Sequence, residues 1–552
     1  MMTTVFTART IHTMDPSCPT ATAIAVRDGR ILHVGTEADV VGYLSGGDFS
    51  VDRRYEDCVI VPGFVEAHGH LVFNGSIGEY VWLGYDDRMR PDGTVAPGCR
   101  SVDDVVDRLA AAASIREGEG SSVSVIGYGY DPTFQDNYSL NRHDLDRASS
   151  TVKILVINAS GHLAYANSAL MEARGITGVT DDRGVLKDAD GHPLGEFHET
   201  AMGLLFAPED FATADPSVPV WNGGWLAQLA GCTTMTDLSM VTLGGAFDTL
   251  LATANRADYP VRVVYAPSMA TLTGMMEGAA LSDHLSGLRD ANTDRVAMGP
   301  LKWIADGSIQ GYTGKLRWPG YCGGMDHGFL ILDEEQIVYQ LQPLHELGFQ
   351  AAIHTNGDEA TEVTLRALER VLTEAPRPDH RHRLEHCQLA SRDQFRRMAQ
   401  MGVGVNLFSN HLFYWGDIHR SSTVGPDKAR RMNAAATAQR EGVHFSLHSD
   451  APVTPVGPLF TMWCAVNRVT RTGVVLGEHE KIAPEAALEA MTLGAAWLLK
   501  MDDVIGSIEV GKFADLTVLD ADPLSVDPMV IKDIGVVGTV LGGQPVVRTV
   551  QS

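Results

Sequence analysis

The chain has 552 residues, 44% hydrophobic and 20% charged, a composition that excludes a disordered, collagen-like or coiled-coil protein. At roughly 150 residues per domain the length predicts three or four units, or one large α/β barrel with additions. A formal net charge of −26 repels phosphate backbones and anionic lipid, which argues against nucleic acid or a membrane surface as partner.

The seven cysteines (Cys18, Cys58, Cys99, Cys232, Cys322, Cys387 and Cys464) are odd in number, widely spaced and free of any C-x-x-C pair. That spacing argues against both a disulfide framework and a thiolate zinc site. Residues 1–15 have no basic segment feeding an apolar one. Every apolar stretch is interrupted by charge well short of the roughly 18 residues that span a bilayer. These features predict a cytoplasmic protein with no membrane partner.

In chain order, residues 23–26 and 31–34 are apolar runs flanking Arg27-Asp28-Gly29-Arg30, and Asp-Gly between such runs is a strong hairpin signal. The far end, 506–520 and 536–540, is again strand, glycine turn and strand. Two β-rich ends enclosing a different middle predict one small discontinuous β-sandwich domain built from residues 1–60 and 502–552, since chain termini often lie close together. Between them, short apolar runs ending in polar residues alternate with amphipathic stretches. Helical spacing marks 333–347 and 359–375, Ser391 opens a further helix, and Pro484 is placed as a first-turn proline before 485–499. Strand candidates are 59–64, 233–238, 261–265, 301–305, 350–354, 383–386, 403–407 and 443–448. Repeated strand-then-helix implies a parallel α/β sheet, and eight strands fit a closed (β/α)8 TIM-like barrel over 61–501. The stretch 71–230 is too long for one connecting loop and reads as an inserted subdomain after strand one. No internal repeat or low-complexity tract stands out.

Catalytic groups of such barrels sit at the C-terminal ends of the strands. Strand one runs into Glu66-Ala67-His68-Gly69-His70, where alternation along an extended chain points both imidazoles the same way, toward one shared cation. The other strand ends deliver Lys302, His354, His386 and Asp450. A dry barrel mouth holding four imidazoles, an amine and a carboxylate carries a heavy desolvation penalty unless a metal or tight pairing compensates it.

That set, in that order, resembles the amidohydrolase superfamily of metal-dependent hydrolases, and within it the amidohydrolase 3 group of YtcJ-like and N-substituted formamide deformylase-like proteins. The resemblance spans nearly the whole chain: Val61-Pro62-Gly63-Phe64-Val65-Glu66-Ala67-His68-Gly69-His70, Gly161-His162-Leu163-Ala164-Tyr165, Lys302-Trp303-Ile304-Ala305-Asp306-Gly307-Ser308, His354-Thr355-Asn356-Gly357-Asp358, Arg383-Leu384-Glu385-His386 and Ser449-Asp450-Ala451-Pro452. Departures are local. His448 stands where a small residue is usual before Ser-Asp, and Thr355 and Asn356 replace the usual alanine and apolar residue.

The resemblance implies a hydrolase that cleaves a C–N bond of an amide, N-substituted amide or formamide with metal-activated water. His68 and His70 would hold one divalent ion, His354 and His386 a second, both of zinc type, and Lys302, carboxylated on its amine, would bridge them. Asp450 would complete the shell of the first ion and accept the water's proton before passing it to the leaving nitrogen. His162 would contact the substrate carbonyl, or serve as a loop histidine bonded to backbone. Asp306, Asp358 and Glu385 would orient the ligands or pair with nearby cations. Phe73, Trp303, Phe408, Tyr414 and Trp415 suggest a pocket for a ring or aliphatic body, or barrel-top core. The expected partner is a small-molecule substrate, with a homodimer open as the assembly. Two rivals remain: a single-metal aminohydrolase (deaminase), disfavoured by the lysine at strand four, and a catalytically silent scaffold, disfavoured because every ligand position is filled.

Overall fold

A computed structural model describes residues 2–211, 215–324 and 327–547. Strands from both ends of the chain share one sheet. Thr3–His12 pairs antiparallel with Thr20–Arg27, which pairs with Arg30–Gly35. On its other edge Thr3–His12 runs parallel to Phe49–Asp52 and then to Val59–Pro62. Val59–Pro62 in turn pairs with Leu516–Leu519, which leads to Val536–Leu541 and Gln544–Pro545. The hairpin at Asp28-Gly29 forms as its sequence requires, because both residues adopt positive φ (54° and 77°), the conformation of the tightest two-residue turn. Hydrogen bonding joins these eight strands into one sheet and not into the two facing sheets of the expected sandwich. Its apolar face buries Phe6, Ile11, Ile24, Ile60, Leu516 and Val540.

A second, six-stranded sheet lies wholly within 81–198, in the order Val185–Lys187, Pro193–His198, Leu163–Ala166, Ile154–Asn158, Val125–Tyr130, Val81–Trp82. It carries its own core, including Trp82, Tyr128, Leu155 and Phe197.

The remainder is α/β. Phe64–Glu66, Cys232–Met240, Arg262–Pro267 and Val296–Met298 form one parallel arc. Leu301–Ile304, Ala351–Thr355, Arg383–His386, Gly404–Leu407 and Phe445–Leu447 form another. Among the described residues no ladder closes the two arcs into one barrel. At one seam Pro300, which has no N–H to donate, separates Val296–Met298 from Leu301–Ile304, and a single bridge, Ser268 to Lys302, spans the gap. At the other, side chain replaces ladder: the Glu66 carboxylate accepts the Ser449 hydroxyl at 2.7 Å and backbone N–H at 3.3 Å. The expected first strand, 59–64, divides at Gly63, its first half joining the terminal sheet and its continuation, Phe64–Glu66, the first arc. The helices follow their signals. Glu334–Glu346 and Asp358–Glu374 cover the second arc, and Ser391 caps Arg392–Met401 with Gln394 closing a capping box. The expected helix after Pro484 is interrupted, as Pro484–Ala490 and then Leu493–Leu498.

Candidate active site

The C-terminal ends of strands from both arcs converge on one cavity of about 740 Å3, lined by His68, His70, Lys302, His354, His386 and Asp450 among others. Backbone strain helps to aim the side chains. His386, Cys387 and Asp450 all hold positive φ (67°, 45° and 53°), a costly conformation for non-glycine residues that persists only where surrounding structure enforces it. Gly69 lets the His68-Gly69-His70 turn lie against the next strand: a Cβ there would meet Met235 Cε at 2.5 Å.

Two donor groups form. His68, His70 and Asp450 present ligand atoms within 4.8 Å of one another, as do His68, His386 and His448. Asp450 Oδ1 lies 3.2 Å from His68 Nε2 and 3.3 Å from His70 Nε2. Burial opposes charge on Asp450, yet His68, His70 and His386 together hold its carboxyl well below the usual range. Behind His68, Glu385 Oε2 lies 2.6 Å from Nδ1, and Arg383 Nε lies 2.6 Å from the other Glu385 oxygen. Burial is likewise overcome there, and the Arg383 guanidinium and His68 keep Glu385 ionised.

Lys302 is buried, and among the described residues its amine meets His68 Nε2, at 3.4 Å. Burial pushes its ammonium down to about 8. His354 stands apart from both donor groups: its Nε2 lies 3.1 Å from the Gly307 carbonyl oxygen and 3.0 Å from the Asn356 amide nitrogen, which itself donates to that carbonyl at 2.8 Å, although its ring lies 4.5 Å from that of His386. Asp306 Oδ1 lies 3.7 Å from His354 Nε2. Its two oxygens accept the backbone N–H groups of Lys315, Asn356 and Gly357, each at 2.8 Å, while burial pushes its carboxyl up to about 7. Asp358 accepts the Arg317 N–H at 2.8 Å.

His162 reaches the cavity from the inserted sheet, 5.1 Å ring to ring from His354. Its Nδ1 lies 2.8 Å from Glu199 Oε2, and this carboxylate raises the imidazole above its ordinary value despite burial. Phe73 and Trp303 line the cavity. Phe408 and Trp415 do not: Phe408 packs behind His448 and His411, and the Trp415 indole donates to Asp131 at 2.7 Å in the interior. Tyr414, packed on Phe460 and Trp415, is outside the lining as well. Sequence reasoning missed Glu199, whose role depends on the fold of the insertion. It also missed Glu66 as a buried clasp, for which its place two residues before His68 was the available signal.

The sequence profile of the Amidohydrolase family matches residues 56–547. The chain belongs to the amidohydrolase family. Full-length similarity extends to an N-substituted formamide deformylase of Arthrobacter pascens, 27% identical over 97% of this chain and 96% of the relative. A putative amidohydrolase, YtcJ, of Bacillus subtilis is 26% identical over 97% of both chains. Among solved structures, an uncharacterized metal-dependent hydrolase from Pyrococcus horikoshii superimposes with a TM-score of 0.71 at 20% identity, covering 95% of this chain and 99% of that one. The family's α/β architecture is therefore shared. No helix among the described residues is long and apolar enough to cross a membrane.

Proposed function

We propose that this chain is a metal-dependent hydrolase that cleaves the C–N bond of an amide, N-substituted amide or formamide. The observation that carries the reading is the donor set itself: imidazoles and one ionised carboxylate converge at the strand ends, and His386 Nδ1 is buried without a hydrogen-bond partner. A nitrogen- and oxygen-rich set of this kind suits a zinc-like divalent ion. His68, His70 and Asp450 are assigned to one ion, and His386 and His354 to a second, for which His354 must give up the Gly307 carbonyl. The two arcs flanking the cavity are read as the halves of a (β/α)8 barrel, spanning 61–501 with the insertion at 71–230, beside the composite terminal domain of 1–60 and 502–552. The N-substituted formamide deformylase relative supports the substrate class.

Bound ions supply Lewis acidity and a water of lowered pKa. The chain's own residues do the rest. Asp450, ionised across the neutral range, takes the proton of the attacking water and returns it to the departing nitrogen. Glu385 holds His68 Nδ1, so that Nε2 faces the site. Lys302, whose ammonium burial pushes down to about 8, reaches the neutral amine more readily than an exposed lysine, and that form could add carbon dioxide and offer the ions an anionic oxygen. His162, its Nδ1 held by Glu199, is assigned to contact the substrate carbonyl. Phe73, Trp303 and Met202 give the cavity an apolar wall for the acyl or amine substituent. The test is elemental analysis of purified protein together with a screen of N-substituted formamides and amides before and after chelation. Two equivalents of metal and chelator-sensitive amide cleavage are expected, and metal-free protein from metal-replete cells would refute the reading.

A further inference from the structure

His448 precedes the Ser449-Asp450 pair and is fully buried, yet neither of its ring nitrogens has a hydrogen-bond partner. An imidazole always carries at least one N–H, and in its neutral form one acceptor nitrogen too. Buried polar atoms of this kind are paired in the great majority of cases. Buried histidines away from the candidate metal site follow that pattern. His345 bonds His382 at 2.8 Å and the Ala375 carbonyl at 2.7 Å, His380 bonds the Met401 carbonyl at 2.7 Å, and His419 bonds Thr423 at 2.8 Å. Beside the candidate metal site His386 leaves one buried nitrogen unpaired, and His448 alone among the described histidines leaves both.

Its ring is packed among the imidazoles of the site. The ring stacks on His68 at 4.5 Å with an interplanar angle of 12°, leans on Phe408 at 4.7 Å, and lies 5.0 Å from the ring of His386. Ligand atoms of His68, His386 and His448 fall within 4.8 Å of one another. Tetrahedral metal–nitrogen bonds of roughly 2.0–2.1 Å set neighbouring donors about 3.4 Å apart, so the three rings would draw in around an ion. An apolar side chain would fill the same sealed space without unpaired nitrogens. Glu385 occupies His68 Nδ1, so His68 has one nitrogen left for an ion, and any ligand completing that ion's shell has to approach from around Nε2.

We propose that His448 is a metal ligand, adding a third imidazole to the ion that His68 holds. The proposal rests on the metal-dependent reading above and assigns His448 a position outside the ligand set expected from the sequence. Because the ring lies outside the cavity lining, it would close the ion's inner side and leave the cavity side open for water and substrate.

The test is metal binding. Metal-free wild type and His448→Phe, which keeps an aromatic ring against His68 and Phe408 but removes both nitrogens, are titrated with Zn2+ against a chromophoric chelator. Both are also loaded with Co2+ for visible absorption. Removing partners that merely orient ligands costs 10- to 100-fold in affinity, so His448→Phe should weaken one equivalent by at least about 100-fold and shift the Co2+ bands. Isotherms and spectra that superimpose on wild type would overturn the proposal while leaving the metal-dependent reading intact. Absence of metal binding by wild type would overturn both. Should His448→Phe fail to fold, anomalous diffraction from zinc-loaded wild type decides: a His448 nitrogen within bonding distance of the ion supports the assignment, and one beyond about 3 Å, well past a zinc–nitrogen bond, refutes it.

Discussion

Glu385 Oε2 stands 2.6 Å from His68 Nδ1, with both side chains sealed from solvent. The carboxylate fixes the imidazole's orientation and leaves Nε2 toward Asp450 and Lys302. Arg383, itself fully buried, reaches the second carboxylate oxygen and also donates to the Ala67 carbonyl at 2.9 Å. One buried guanidinium therefore supports both the ligand-bearing turn and the residue that orients it.

Glu385→Gln should lower affinity for the ion on His68 by about 10- to 100-fold, because an amide holds the ring less firmly and does not raise its basicity. Isothermal titration of the metal-free variant measures this. Unchanged affinity would show that the contact only packs the interior.

Asp450→Asn should reduce turnover by roughly 10²- to 10⁴-fold, the value of a working acid–base group, with metal content largely retained. Since neighbouring histidines hold the Asp450 carboxyl well below its ordinary value, protonation of this group should begin to depress the wild-type rate only below the usual aspartate range near pH 3.9. Turnover above about a tenth of wild type in the variant, at saturating metal, contradicts the assignment.

Lys302→Ala should abolish activity, and short carboxylic acids with added metal should restore part of it by placing an oxygen bridge in the vacated space. Wild-type protein reconstituted without carbon dioxide should regain activity slowly and respond to bicarbonate. Equal reconstitution with and without bicarbonate would remove the bridge from the mechanism.

Away from the cavity, the network of His345, His380 and His382 predicts acid sensitivity of the fold. Burial, with further repulsion from His380 and His345, holds the His382 imidazole well below its ordinary value. The unfolded chain therefore binds protons near pH 6.5 that the folded chain refuses, so stability is full above that pH and falls as pH drops beneath it. Thermal melts of metal-free protein should show Tm decreasing from pH 7 to pH 5. His382→Gln, which preserves an acceptor for the Ala351 N–H now held at 2.9 Å, should flatten that decline even if it lowers Tm at neutral pH. An equally steep decline in the variant would place the acid sensitivity elsewhere.

Local chemistry determined much of this protein from sequence alone. Apolar runs bounded by turns placed the parallel strands within a few residues, and Arg383–His386 matched its expected bounds. Asp-Gly specified its hairpin, and Ser391 its helix start. His68, His70, Lys302, His386 and Asp450 came together because each lies in or just after a strand of a parallel arc and faces the same cavity. What sequence could not decide depended on which surfaces meet. Hydropathy marks Phe408 and Trp415 as apolar without saying on which side of the rim they pack, and both went to the interior while Phe73 and Trp303 faced the cavity. Gly63 divided an apparently continuous strand between two sheets because the terminal strands, distant in sequence, captured its first half. Glu199 reached His162, and His448 was buried against His68 with unpaired nitrogens, only once the insertion and the last strand had docked. Desolvation and donor convergence are long-range properties: they arise from the packed arrangement of segments and not from any one of them.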